Sequence, residues 1–415
     1  MMDRPLRFCM ITTFYPPYSF GGDGIFVHRL SNELAQRGHQ VEVIHCIDSY
    51  RLLANQAPAK IYDNHPNVSV QGLKSKFGFL SPLATHQTGF PLFKSVAIHQ
   101  ILAKSFDVIH YHNISLVGGL KILEYGRGIK LYTMHEYWLL CPTHILFRFN
   151  RAACARSHCF FCSLVYKRPP QWWRRLGLFK PVFKHVDALL APSHFSKNVH
   201  KQLGLDVPIV HLPHFVPSTE TEEVPTSEKT AEEPPEEPYF LFVGRLEKLK
   251  GLQTLIPIFG HHRKALLLIA GIGSYETRLR QLADGNGNIR FLGHLSSRHL
   301  QDFYRQAVAV IVPSLCFEVF PLVILEAFRH QTPVVVRNLG VMPEIIRESG
   351  GGTIYDTEED LAAKLDQLLA DPSLHQILGR QGYQAYQQKW TIDNHLQQYF
   401  ALIHEIAGTR NQSLN

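Results

Sequence analysis

Residues 318–326 read E-V-F-P-L-V-I-L-E. Glu318 and Glu326 bracket an apolar run, and Pro321 sits where a helix can begin, since proline's missing N–H costs nothing at the first helical position. Glu318 then falls in the loop before the helix and Glu326 about one and a half turns inside it. At ~1.5 Å of rise per residue the two carboxylates lie up to ~12 Å apart along the axis. That spacing suits gripping two ends of an extended ligand better than sharing one proton. The N–H groups of Val319, Phe320 and Leu322 at the helix start favour an anion between the acids. The local chemistry is that of a site for a hydroxyl-rich molecule with a phosphate in its middle.

Cations to meet such a phosphate stand in Gly244-Arg245-Leu246 and Lys250-Gly251, directly after an apolar run at 239–243. Arg245 and Lys250 at the carboxyl edge of a strand neutralise a diphosphate without metal; the alternative is a pair of surface ion pairs. No D-x-D occurs in the chain, which disfavours a divalent ion held between carboxylates. No G-x-x-x-x-G-K-[ST] loop occurs either, which disfavours a P-loop ATPase. In the first half, His135 follows K-L-Y-T-M, where an imidazole donates to a sugar hydroxyl or a leaving phosphate. His110 and His112 share one strand face and read as packed residues. Gly21-Gly22-Asp23-Gly24 reads either as a flexible turn or as a close backbone approach to a phosphate or sugar.

These residues need strands and helices to hold them. Residues 6–13, a glycine-rich loop, a helical pattern over 25–37 and a strand at 41–46 make a βαβ unit and so a parallel sheet. Further strands are predicted at 68–73, 107–112, 129–134, 188–191 and 209–212. Residues 216–238 carry eight Glu and one Lys with five Pro and no aromatic, the composition of a solvated linker. A second set of strands follows at 239–243, 265–270, 289–292, 308–312, 334–336 and 352–355. Helices are predicted at 358–370, 373–389 and 391–407. The division expected is a first domain over 1–215 with a Cys-bearing insertion at 141–184, a linker over 216–238 and a second domain over 239–390. A terminal helix in 391–415 is expected to cross back to the first domain.

At 415 residues with 45% hydrophobic and 19% charged residues, the composition is that of a globular chain of two domains. No run of 18 apolar residues exists, so no membrane-spanning helix is expected. The N-terminal apolar stretch ends at Pro16-Pro17 and reads as a buried strand rather than a signal peptide. The charge is uneven. Residues 1–215 hold 24 Lys/Arg against 11 Asp/Glu, a net of +13, while residues 239–415 hold 17 against 16. The basic first half is the half to meet an anionic partner. Within it, 167–184 (K-R-P-P-Q-W-W-R-R-L-G-L-F-K-P-V-F-K) interleaves six basic residues with Trp172, Trp173, Phe179 and Phe183. This suits docking on an anionic membrane interface, or a surface helix whose long side chains cover the sheet. Nucleic acid is a poorer fit, because no binding motif accompanies it. Cys159-Phe-Phe-Cys162, with Cys141 and Cys154 nearby, has spacing suited to tetrahedral zinc; the alternative is a compact loop with buried thiols.

Taken together, T-T-F-Y-P-P-Y-S-F-G-G-D-G, T-M-H-E-Y-W-L-L-C-P, V-G-R-L with K-G, A-G-I-G, F-L-G-H-L, V-P-S, E-V-F-P-L-V-I-L-E-A, T-P-V-V-V and P-E run in one order across both domains. The set resembles that of the retaining glycosyltransferases of family 4 (glycosyl transferases group 1). The resemblance implies the GT-B fold: α/β, two Rossmann-like parallel-sheet domains facing a central cleft. It also implies a nucleotide-sugar donor, a glycan or lipid-linked acceptor, and no cofactor or catalytic metal. Residue by residue, it implies that Glu318 contacts the donor-sugar hydroxyls and Glu326 the ribose. Arg245 and Lys250 hold the diphosphate, His135 faces the transferred sugar, and Gly22 lines the sugar and phosphate. The expected place is the cytoplasm, peripheral at the inner face of the membrane. A sugar-nucleotide epimerase, or a degenerate transferase kept for binding, are the alternatives. Val319 stands where the family commonly has glycine, and Arg337–Glu344 replaces a glycine pair ahead of Pro-Glu.

Overall fold

The apolar runs form two parallel sheets in a computed structural model that describes residues 4–54, 58, 62–154, 158–175, 179–218 and 233–412. In chain order the first elements are β1 (Arg7–Ile11), α1 (Gly22–Gln36), β2 (Gln40–Cys46), α2 (Ile47–Leu53), β3 (Val68–Leu73), α3 (Leu80–Thr88), α4 (Ser95–Leu102), β4 (Val108–Tyr111) and β5 (Ile129–Thr133). A short antiparallel pair follows, β6 (Phe147–Arg148) and β7 (Ala152–Ala153), then α5 (Cys159–Val165), α6 (Phe179–Val182), β8 (Ala188–Ala191), α7 (His194–Lys201) and β9 (Ile209–His211). The large sheet runs in the order β3-β2-β1-β4-β5-β8-β9 and every pairing in it is parallel. Its central strands are buried along their whole length. Helices cover both faces of such a sheet, so its strands are continuous apolar runs rather than alternating ones.

The second sheet is built from β10 (Tyr239–Val243), α8 (Leu252–His261), β11 (Leu266–Ala270), α9 (Glu276–Leu282), β12 (Ile289–Gly293), α10 (Ser297–Gln306) and β13 (Ala309–Val312), followed by α11 (Leu322–Arg329), β14 (Val334–Arg337), α12 (Met342–Ser349) and β15 (Gly352–Tyr355). Its order is β12-β11-β10-β13-β14-β15, again parallel throughout. Three helices end the chain: α13 (Glu358–Ala370), α14 (Pro372–Lys389) and α15 (Ile392–Gln412). In each sheet the strand order reverses once, between β1 and β4 and between β10 and β13. Ligands of open parallel sheets bind outside the carboxyl ends of the strands at such a reversal.

The chain divides into two compact units. One comprises Met1–His144, His158–Leu212 and Leu396–Asn415; the other comprises Ile145–Ser157 and Pro213–His395. The division differs from the sequence reading in detail. The insertion 141–184 does not stay whole, since Ile145–Ser157 groups with the second unit. The linker is shorter than 216–238 as well. Val216 is fully buried in the second unit, where its N–H donates to the Trp390 carbonyl and its carbonyl accepts from the Tyr386 hydroxyl. Residues 219–232 of the linker lie outside the described residues.

From Leu396 onward, α15 packs with the first unit. Leu396, Tyr399 and Ile403 are buried at helical spacing. Tyr399 stacks on Phe8 at 6.2 Å, and its hydroxyl shares a 2.9 Å hydrogen bond with His110 Nδ1. Near the helix end the Arg410 guanidinium forks onto Asp187 at 2.6–3.1 Å and donates to the Gly128 carbonyl at 2.8 Å. The terminal helix is thus a structural member of the first unit. Tyr399→Ala should cost about 3–5 kcal/mol of stability through the cavity it leaves, read by chemical denaturation; a loss under about 1 kcal/mol would show that α15 is not part of that unit's core.

Candidate functional site

The second sheet's reversal gathers most of the polar residues singled out in the sequence. β10 runs out at Val243, and β13 runs out at Val312 beside it. The loop after β10 makes a short 3-10 turn at Lys248–Lys250 and then passes through Gly251 at φ 78°. A Cβ on Gly251 would stand 2.0 Å from the Pro313 carbonyl oxygen. Only glycine takes both that backbone angle and that approach. The Leu315 N–H reaches back to the Leu249 carbonyl at 2.8 Å, so the two loops are tied edge to edge. This brings Lys250 to Glu318. Lys250 Nζ donates to Glu318 Oε1 at 2.7 Å, and the Ser314 hydroxyl donates to the same oxygen at 2.6 Å.

Both charges sit at the edge of the protein interior, with side chains 23% and 14% exposed. Burial alone would raise the Glu318 carboxyl, but the Lys250 charge and the hydrogen bonds from Lys250 and Ser314 overcome it and hold the group below the usual carboxylate range. Burial likewise opposes the Lys250 charge, and Glu318 raises it above an ordinary lysine. Next to them, burial pushes the Cys316 thiol up to about 12, so it stays protonated. A lysine ammonium has three donors; one is spent on Glu318.

Glu326 lies in the fifth position of α11, and its Oε2 accepts from the Tyr304 hydroxyl on α10 at 3.0 Å. Pro321 is the N-cap of α11 rather than its first helical residue, so the helix starts one residue later than predicted. Val319 is half-buried, and Phe320 is buried with its ring 5.7 Å from that of His214. Arg245 is more exposed, at 58%, and pairs with Glu247 at 2.8 Å. Arg337, one of the residues that depart from the family pattern, lies at the same edge. Its Nε donates to the Pro313 carbonyl and its Nη2 to the Thr254 hydroxyl.

In the first unit the reversal between β1 and β4 holds the other candidates. Gly22 is the first residue of α1, one residue after Gly21, and a Cβ on it would meet nothing within 4 Å. Asp23 in the helix's first turn accepts from the Asn113 side chain at 3.1 Å, beyond the end of β4. His135, half-buried just past β5, shares a 2.9 Å hydrogen bond between its Nε2 and His112 Nδ1. Its ring also meets Phe26 of α1 edge-on at 5.1 Å. His110 is buried between the Thr133 hydroxyl at 2.7 Å and Tyr399, as a packed residue. His112 is equally buried but does more than pack, since it orients His135.

Two sequence expectations fare differently. Of the aromatic residues in 167–184, Trp173 and Phe183 are buried, and Arg174 lies over Trp138 and Trp173 while donating to the Leu139 carbonyl. Trp172 stays exposed; the Phe179 side chain lies outside the described residues. For zinc, no group of three or more His, Cys, Asp or Glu side chains is arranged to hold a metal among the described residues. Cys141 and Cys162 are buried thiols, and Cys154 falls in the segment that groups with the second unit.

Sequence reasoning gave no individual role to Ser314, Tyr304 or Asn113, and took His112 only as a packed residue. Ser314 had a signal, since it follows a strand four residues before Glu318. Tyr304 had none, because a tyrosine on a helix face reads as core.

The family model described as Glycosyltransferase Family 4 matches residues 20–220, and that described as Glycosyl transferases group 1 matches 224–385. An uncharacterised glycosyltransferase of Methanocaldococcus jannaschii is 34% identical over 167 residues, covering 38% of this chain and 43% of that one. A phosphatidyl-myo-inositol mannosyltransferase of Mycolicibacterium smegmatis is 23% identical across 91% of this chain and 89% of its own. Among solved structures, sucrose-phosphate synthase of Thermosynechococcus elongatus superposes with a TM-score of 0.72 at 18% identity, covering 97% and 100% of the two chains. HepE of Anabaena, solved with UDP and glucose, superposes with a TM-score of 0.66 at 16% identity, covering 96% and 99%.

Lys250→Met should remove about 1.5–3 kcal/mol of stability near neutral pH by stranding the Glu318 carboxylate. Because the folded Glu318 titrates below its unfolded value, its contribution is present above the usual carboxylate range and is lost as the pH falls through the folded value. The deficit of the variant should therefore shrink on acidification. Denaturation at neutral and acidic pH reads this out; an equal deficit at both would show that the pair is not what stabilises the loop.

Proposed function

Because the chain belongs to the family-4, group 1 glycosyltransferases and has their GT-B fold, we propose that it moves a sugar from a nucleoside-diphosphate donor to a hydroxyl of a glycan or lipid-linked acceptor, with retention at the anomeric carbon. The observation that carries this reading is the Glu318–Lys250–Ser314 cluster at the carboxyl edge of the second sheet's reversal. Glu318, kept ionised by Lys250, accepts from hydroxyls of the donor sugar. The remaining donors of Lys250, the exposed guanidinium of Arg245 and the N–H groups of Val319 and Phe320 ahead of α11 take up the diphosphate. Glu326, oriented by Tyr304, accepts from the ribose hydroxyls. To His135 and Gly22 of the first unit this reading assigns the transferred sugar and its phosphate, as the family resemblance implies.

In the reaction the bond from the anomeric carbon to the phosphate oxygen breaks as the acceptor oxygen bonds to that carbon on the same face. The acceptor's proton passes to the leaving phosphate oxygen, and a nucleoside diphosphate is released. The main contribution of the protein is the fixed positive field on that oxygen, from Lys250, Arg245 and the start of α11. Those groups stand in for a catalytic metal, in keeping with a sequence that has no D-x-D. The basic first half, and the lipid named in the mycobacterial relative, favour an acceptor carried by an anionic membrane and a peripheral, cytoplasmic place for the protein. Among the described residues no helix is long and apolar enough to cross a membrane.

Nucleotide release from a panel of UDP-, GDP- and ADP-sugars tests the reading, beginning with UDP-sugars because of the HepE complexes. Release and transfer should persist in a chelator. Interconversion of the sugar without release would identify an epimerase, and binding without turnover a degenerate transferase. Glu326→Ala should raise the donor KM about 10- to 100-fold with little change in kcat, as expected for a lost charged hydrogen-bond pair. An unchanged KM would remove Glu326 from the ribose.

A further inference from the structure

Sixteen large apolar side chains are exposed among the described residues, and nine of them fall between Leu52 and Val96. They come from the end of α2, the loop after β3, α3, and the turn and helix that follow. Phe77 is 55% exposed, Phe79 60% and Val96 71%. The patch is contiguous: α2 packs on α3, and α3 on the turn at Leu92–Lys94. The Phe77 and Phe93 rings stand 4.3 Å apart. Its base is rigid. Lys94 is turned inward and buried, with Nζ on Cys46 Sγ at 3.2 Å and on the Leu116 carbonyl at 3.1 Å. Trp173 donates to the His86 carbonyl at 3.0 Å beneath α3, and Ser75 N–H donates to Asp48 at 2.7 Å. A patch of this kind, held open on a rigid base, marks an interaction surface.

Its charge says what it meets. From Asn64 to Phe106 there is no Asp or Glu, and Lys74, Lys76 and Arg51 are exposed at its rim. Phenylalanines flanked by lysines without acids are the composition of a surface that sits in the headgroup region of an anionic bilayer. A second copy of the chain is a poorer occupant, since a two-fold contact would bring the same cations together with no acid in the stretch to offset them. Position also matters. The patch leaves the sheet at the carboxyl ends of β2 and β3, the edge that carries Gly22 and His135. Between patch and edge lies an aromatic shelf, with Phe20 stacked on Tyr50 at 4.8 Å and edge-on to Phe14 at 5.2 Å. Such faces take the apolar side of a sugar ring.

We propose that the surface formed by the end of α2, the Lys74–Phe79 loop, α3 and the Leu92–Lys94 turn docks the first unit on an anionic lipid bilayer. Docking there presents a lipid-borne acceptor to the shelf and to the edge beyond it. This last step rests on the acceptor being lipid-linked; the docking itself does not. The surface replaces 167–184, where Trp173 and Phe183 are buried.

Flotation of the full chain with phosphatidylcholine vesicles, with and without phosphatidylglycerol, tests it. The parent should float only with the anionic vesicles and should be released by salt. Lys74→Glu with Lys76→Glu should weaken binding about thirtyfold or more, and Phe79→Ser with Phe93→Ser should abolish it. Trp172→Ser should float as the parent. All variants should keep the parent's circular dichroism and UDP affinity, because the substituted side chains are exposed and none of them is a donor residue. Flotation of the double variants equal to the parent overturns the proposal. So does binding indifferent to phosphatidylglycerol, or a parent dimer that the phenylalanine substitutions dissociate. Flotation without turnover of any sugar nucleotide would instead count against the glycosyltransferase reading while leaving the docking surface standing.

Discussion

The ion pair between Glu318 and Lys250 is the constraint on which the second unit's site depends. A carboxylate taken this far out of water protonates unless a cation and further donors compensate it. Here Lys250 and Ser314 both reach one oxygen. The geometry needs two loops from neighbouring strands to lie against each other, and that contact needs Gly251, where any side chain would collide with the Pro313 carbonyl. The same interlocking continues one strand over: a Cβ on Gly271 would stand 1.9 Å from the Gly244 carbonyl oxygen. The glycines of this edge thus serve loop packing first, and through it the placing of charge.

The first unit reaches a comparable result with histidines. A row of buried polar side chains runs from Tyr399 and Thr133 through His110, with His112 beside it, and surfaces at His135. Buried polar groups are tolerated when they satisfy one another. The row fixes the orientation of the half-buried imidazole at its end. It also makes the terminal helix, which supplies Tyr399, part of what positions the edge. Both units place their candidate residues at the one reversal of strand order. Adjacent loops diverge there to opposite faces of the sheet and leave backbone N–H groups and helix starts facing outward.

Much of this was legible in the chain. The strands of a doubly covered parallel sheet are short apolar runs ending in glycine or polar residues. Runs such as F-C-M-I, L-L-L-I-A and A-V-I-V announced themselves, and so did the βαβ order. Glu318, Lys250, Arg245, Glu326, His135 and Gly22 each follow or precede such a run, which is how they were found. The tilt of the reading was wrong where composition stood in for packing. Trp172 and Trp173 look alike in sequence, yet one is exposed and the other lies in the core under Arg174. Val216 looks like linker, but its N–H donates to the Trp390 carbonyl and its carbonyl accepts from the Tyr386 hydroxyl, which holds it in the second unit.

The sequence alone determined the class of fold, the order of its strands along the chain, and the residue types available at each strand end. These follow from periodicity, chain connectivity and the backbone needs of glycine and proline, all local properties. Only the tertiary structure decided which strand ends become neighbours. That in turn decided that Ser314 joins Lys250 on Glu318, that Tyr304 on another helix holds Glu326, and that His112 rather than His110 meets His135. It also decided which aromatics go inside, because burial depends on what the rest of the chain brings to a side chain's other face. Pairings between residues distant in sequence carry no local signal, and the site consists chiefly of such pairings.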